Sequence, residues 1–313
     1  MKLFLATLII ALAAVATFGQ SPPTLRIVTE TPGLPSELFY GDIKVKPLRL
    51  RPGTNTPITI RDADFFVTQQ YVDFLSRFPD QNGLNHWQND INSCGTNAAC
   101  IEAKRVNVSA GFFKSIEFQE TGFLVYKMYR AGFDNIAGQP VPVRRQDFVP
   151  DLKIIGNGVV VLQQGWEALL DANKNAFALA FVQRPAFQTA FPSNMTAQQF
   201  VDKLDNNAGQ VLSSSEKSNL VGVLGATPAD LTKRASVLRS IAENPNLTQR
   251  EFNKAFVLMQ YFGYLRRNPN EGPDANFDGF NFWLGKLNQF NGNFENAEMV
   301  KAFINSLEYN NRF

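Results

Sequence analysis

Histidine is almost missing from this sequence: His86 is the single imidazole among 313 residues. A zinc cluster or a Ser-His-Asp arrangement would have to rest on that one ring, and "LNHW" around it reads as a turn entering a helix. Cysteine is nearly as scarce, with only Cys94 and Cys100 in "CGTNAAC". Two thiols fall short of the four ligands of a structural zinc. A surplus of charge is missing too, since 30 Lys and Arg stand against 28 Asp and Glu. No global field therefore draws nucleic acid or an acidic membrane surface. G-x-S-x-G, Walker A, H-E-x-x-H and dinucleotide fingerprints do not occur. What remains for catalysis is carboxylates. Glu117 and Glu120, three apart on a helical stretch, are a candidate hydrolase pair, although two carboxylates on one solvated helix face are far commoner.

Long apolar runs are confined to the start. Lys2 precedes an uncharged run from Leu3 to Phe18, followed by small residues. This is the pattern of a secretory signal peptide, too short for a membrane helix, with cleavage after Ala16 or Gly19. Residues 1–19 are thus expected to be removed, leaving a nearly neutral chain with no membrane span. Export also places Cys94 and Cys100 in an oxidising compartment, where they are predicted to form a local disulfide worth about 2 kcal/mol.

What is present favours a packed helical protein. Hydrophobic residues make up 44% and charged ones 19%, enough for a core. The 28 Phe read as core packing at helical spacing. Residues 20–61 differ: Pro recurs at 22, 23, 32, 35, 47, 52 and 57 between short β-like pieces. They suggest extended arms or one small hairpin. Lys44, Lys46, Arg49 and Arg51 there are either a strip for an acidic glycan or the charged guard of an edge strand.

From Asp62 the pattern is helical. Val67, Tyr71, Phe74, Leu75 and Phe78 mark one buried stripe. Pro79 ends that helix, and Asn82-Gly83 turns into another carrying Leu84, Trp87 and Ile91. A break is expected near Thr121-Gly122, and loop over Pro140–Gly158. "SSSE", "TPAD" and "TQRE" fit helix caps at Ser213, Thr227 and Thr248.

The turn recurs. "FLSRFPDQNGLNHW" at Phe74 matches "YLRRNPNEGPDANFDGFNFW" at Tyr264, which carries an insertion. Arg77, Pro79 and Trp87 correspond to Arg267, Pro269 and Trp283, and these six residues are the expected repeat anchors, with both Trp buried. "SIEF" at Ser115 matches "SLEY" at Ser306. "RPAFQTAF" and the helical text after Met195 suggest a degenerate middle copy. The fold class is therefore all-α, a helical repeat or bundle of helix-turn-helix units after a short extended segment. The units are 62–135, 136–247 and 248–313.

"FVTQQYVDFLSRFPDQNGLNHW" followed by "SIEF" resembles the domain of unknown function 4214 family, in two clear copies and one degenerate one. The resemblance implies all-α domains of bacterial secreted and cell-surface proteins with no established enzymatic activity. A more distant similarity, to the helical linker proteins of phycobilisomes, would imply protein–protein work.

"DANFDG" matches the first half of a Ca²⁺ loop, with Asp274, Asn276 and Asp278 as oxygen ligands, but position twelve is Gly285. The readings are a turn with a helix cap, or a weak calcium site completed by carbonyls and water. No other cofactor is expected. The sequence predicts an exported, non-catalytic binding or scaffold module, secreted, periplasmic or at the cell surface, whose partner is an envelope protein or surface glycan. The alternative is an exported carbohydrate-active enzyme using acidic residues.

Overall fold

The computed structural model describes residues 25–28, 37–40, 43–47, 50–51 and 53–313. The chain divides into two compact units at Ile58/Thr59. The expected leader and Arg49 lie outside the described residues. In the first unit, β1 (Leu25–Val28), β2 (Glu37–Tyr40) and β3 (Ile43–Pro47) form an antiparallel sheet in sequence order. Leu25 faces Tyr40 in register, Tyr40 faces Ile43, and the second pairing is irregular at Leu38/Phe39. The segment is thus a three-stranded meander, one strand more than a hairpin. Lys44 and Lys46 fall on β3.

The second unit carries only helices and turns among its described residues. It opens with α1 (Ala63–Gln70), which widens into a π-helical turn, Tyr71–Leu75. Ser76 follows in the left-handed region at φ 53° and stops the helix. This stop overturns one expectation: Phe78 leaves the buried stripe and is 73% exposed. α2 (Gln81–Asn92) and α3 (Ala98–Lys114) are joined by the disulfide Cys94–Cys100. Ser115 caps the short α4 (Ile116–Glu120), and Thr121 breaks it from α5 (Gly122–Phe133), as expected.

α5 is buried nearly all round, including Phe123, Tyr126, Met128 and Ala131, the mark of a central helix. Against it pack α6 (Arg145–Ile155), α7 (Trp166–Val182), α8 (Pro185–Ala190), α9 (Ala197–Ala208) and α11 (Leu231–Ala242), while α10 (Ser214–Leu224) packs on α9 and α11. The loop expected over Pro140–Gly158 is largely α6, which runs through Pro150. Burial of Phe148, Leu152 and Ile155 outweighs the proline's lost hydrogen bond.

The three cap signals divided. Ser213 and Glu216 form a capping box. Asp230, not Thr227, caps α11. Thr248 lies inside α12 (Pro245–Gln260), because Asn244 caps ahead of Pro245, and proline favours the first helical position.

After α12 the opening design returns. A π-turn spans Tyr261–Leu265, and Arg266 sits at φ 53°. α13 (Asp278–Gln289), α14 (Met299–Asn305) and α15 (Leu307–Asn310) complete the chain. The two π-turns pack on each other, and α3 packs on α14. Phe74 meets Tyr264 edge-on at 5.2 Å, and Phe113 stacks on Phe256 at 4.3 Å. Most of the phenylalanine is indeed core.

Candidate functional site

The first turn builds a cleft of about 510 Å³. Its floor begins with Tyr71, placed by the π-turn, whose ring meets Phe112 edge-on at 4.7 Å. Arg77 lies over that ring at 4.9 Å. Arg77 Nε donates to Glu117 Oε1 at 2.6 Å and Nη2 to Oε2 at 2.7 Å, a forked pair. Its Nη1 donates to the Phe78 carbonyl at 3.0 Å and lies 3.6 Å from Asp80. Burial opposes the Arg77 charge, yet the Glu117 hydrogen bonds hold its pKa above the ordinary value.

These partners explain the residue order. Asp80 caps α2 by accepting from the Gly83 N–H at 2.9 Å. Gly83 has to lack a side chain, because a Cβ would collide with the Tyr71 hydroxyl. Ser115 accepts from the Phe118 N–H at 3.1 Å, which starts α4 and delivers Glu117 to Arg77. Phe118 is buried beneath.

Trp87 and His86 form the other wall. Trp87 is half-buried, not enclosed as expected: one side packs near Phe112 at 5.7 Å, and the ring lines the cleft. Its ring lies 5.0 Å from the exposed His86 ring. The last wall comes from far along the chain, Val160–Gln163, with Leu162 88% exposed. Burial first, then the Asp80 charge, pushes the Tyr71 phenol up to about 12, so its hydroxyl stays protonated at neutral pH.

The second turn places equivalent residues around a cleft of about 240 Å³. Arg267 Nε donates to Glu308 Oε1 at 2.6 Å, and its guanidinium lies over Tyr261 at 5.3 Å. Ser306 caps α15 as Ser115 caps α4. Trp283 lines this cleft half-buried, beside exposed Phe282 at 5.0 Å. Pro79 and Pro269 follow the two arginines, ahead of α2 and α13.

The calcium candidates are otherwise engaged. Asp274 accepts from Arg267 Nη2 at 2.7 Å, while the Asn276 side chain bonds Asp278. Among the described residues no three or more His, Cys, Asp or Glu gather to hold a metal ion. The candidate hydrolase pair is also separated by its partners: Glu117 belongs to Arg77, and Glu120 pairs with Lys174.

Sequence reasoning missed the Val160–Gln163 wall, which no local pattern announces. It also missed the π-turns, whose only signal is Tyr six residues before the shared Arg. Between the two turns, residues 136–247 contain no further π-turn among the described residues. No described helix is long and apolar enough to cross a membrane.

Residues 59–121 match the family model described as Domain of unknown function (DUF4214). That segment runs from the start of the helical unit to Thr121, and so contains Tyr71, Arg77, Trp87 and Glu117. No curated protein and no solved structure matches the chain. What the comparisons supply is one helical domain related to DUF4214, holding the larger cleft.

Proposed function

We propose that this chain is an exported, non-catalytic binding module of the bacterial cell envelope, with the Trp87 cleft as its ligand site. The observation that carries the reading is the cleft's chemistry: an open aromatic wall stands beside carboxylates already committed to one arginine. A mostly apolar pocket with a few fixed polar groups suits binding. Acid–base hydrolysis needs a carboxylate free to exchange protons, and Glu117 is held in a fork by Arg77. Export rests on the leader pattern of residues 1–19. The Arg267 turn is, in this reading, a second copy of the matched domain. The shared Tyr, Arg, Gly, Trp and Ser-x-Glu geometry supports it.

The test incubates the mature chain with envelope glycan and envelope protein fractions, following both binding and release of reducing sugar. Binding without sugar release, weakened by Trp87→Ala, is expected. Sugar release that disappears in Glu117→Gln would instead establish the carbohydrate-active enzyme.

A further inference from the structure

A separate cavity of about 270 Å³ opens beside the first π-turn. Asp73, Phe78, Arg145, Lys153 and Arg266 line it. The one carboxylate on its lining is over-subscribed. Asp73, whose side chain is 1% exposed, accepts from Arg266 Nη2 at 2.9 Å and from both terminal nitrogens of Arg312, at 3.0 and 2.8 Å. Arg77, also on the lining, is paired with Glu117.

Arg145 and Lys153 bring further positive charge with no carboxylate of their own. Arg145 spends Nε on the Phe262 carbonyl at 3.0 Å, and among the described residues neither side chain enters an ion pair. Burial, then the Arg266 charge, holds the Arg145 guanidinium's pKa below its ordinary value. Arg145, Lys153 and Arg266 thus line one recess whose single carboxylate, Asp73, is shared with Arg312 as well. Such an excess, focused in a recess, attracts an outside anion, and guanidinium groups suit the flat or tetrahedral oxygens of carboxylate and sulfate.

The rim adds a second requirement. Phe78 lines this cavity and is 73% exposed. A bare ring beside paired cations matches a ligand with an apolar face and an acid group on one frame. We propose that this pocket binds an acidic sugar residue of a glycan. Arg145, Lys153 and Arg266 take its carboxylate or sulfate, and Phe78 lies against its ring. The aromatic cleft at Trp87 is a different site, and its own reading does not depend on this one.

Isothermal titration of the full chain with a uronic-acid trisaccharide, its neutral hexose counterpart and inorganic sulfate tests the assignment. The uronate is expected to bind, to weaken with added salt, and to bind at least about tenfold more tightly than either other probe. Lys153→Gln alters an exposed side chain and leaves folding intact, which the melting temperature verifies. It should weaken uronate binding at least about threefold, and Phe78→Ala should weaken it too. Lys301→Gln, which removes the same charge elsewhere, should not. Equal binding of the neutral sugar, sulfate as good as uronate, or equal effects of Lys153→Gln and Lys301→Gln would each overturn the pocket.

Discussion

The two π-turns share their parts and differ in what surrounds them. Each sets a Tyr six residues before an Arg, follows the turn with a left-handed residue, and closes on a capped Ser-x-Glu. At the first, Glu117 accepts from Nε and Nη2 of Arg77. At the second, the inserted residues intervene: Arg267 divides itself between Glu308, Asp274 and the Glu271 carbonyl. Phe112 in the first cleft and Phe303 in the second stand at equivalent places, but only the first gains a wall from Val160–Gln163, and the second has about half the volume. The lesson is that the repeated motif specifies a joint. The size of the cleft above it is set by a segment outside the motif.

The sharpest contrast lies in the acids. Glu117 is 8% exposed and is the close partner of a largely covered arginine. Glu117→Ala should cost about 3–5 kcal/mol, as removing one member of a buried pair does. Glu308 is 33% exposed, and Arg267 keeps Asp274 in its absence, so Glu308→Ala should cost at most about 1 kcal/mol. Urea unfolding of both variants checks this. Equal costs would mean that the insertion does not support Arg267.

The connections between the paired helices differ as well. Cys94–Cys100 ties α2 to α3, whereas α13 reaches α14 through turns with Asn291, Gly292 and Glu298 at positive φ. Reduction should cost about 2 kcal/mol and speed hydrogen exchange in α2 and the start of α3, leaving α13 and α14 as they were. Faster exchange in both halves would show that the staple supports the whole unit.

A smaller effect separates the glycines. A Cβ on Gly83 would collide with the Tyr71 hydroxyl, while one on Gly279 would sit 2.7 Å from the Tyr261 hydroxyl. Overpacking costs about 1–3 kcal/mol, offset by about 1 kcal/mol of helix propensity gained. Gly83→Ala should therefore destabilise by about 1–2 kcal/mol, and Gly279→Ala by less. Adding Tyr71→Phe should restore most of the loss at Gly83. A Gly83→Ala chain as stable as the parent would show that the hydroxyl moves aside freely.

How much of this could be read beforehand follows from range. The Pro-Asp turn, the Ser115 cap and the Cys pair are local, and each carries its reason within a few residues. Phe78 misled because the apolar spacing continues through it while the backbone does not: Ser76 leaves the helix, and helical spacing presumes a helix. Trp87 misled because bulk suggests burial, whereas half its ring faces a cleft. The stretch Pro140–Gly158 reads as loop, and burial of Phe148, Leu152 and Ile155 makes most of it α6 instead. The Val160–Gln163 wall and the arginines around Asp73 depend on residues tens to hundreds of positions apart, which spacing cannot supply.

The smallest contrast should be at high pH, where the two halves ought to agree. The Tyr71 and Tyr261 phenols are both pushed to about 12 from an ordinary 10.0, by burial first and then by Asp80 or Asp274. Between those values the folded chain holds protons that the unfolded chain has released. The stability linked to each phenol is therefore complete below pH 10 and declines as pH rises through 12. Tyr71→Phe and Tyr261→Phe should each flatten that decline, and by similar amounts, in urea unfolding followed across the window. The equality is the informative part, because the clefts above the two hydroxyls differ about twofold in volume. If only Tyr71→Phe flattened the curve, the Tyr261 hydroxyl would be reached by water and the second joint would be looser than the first. Matching slopes would place both hydroxyls in the same dry setting beneath unlike clefts, with the joint conserved in its physics and the opening above it free to vary.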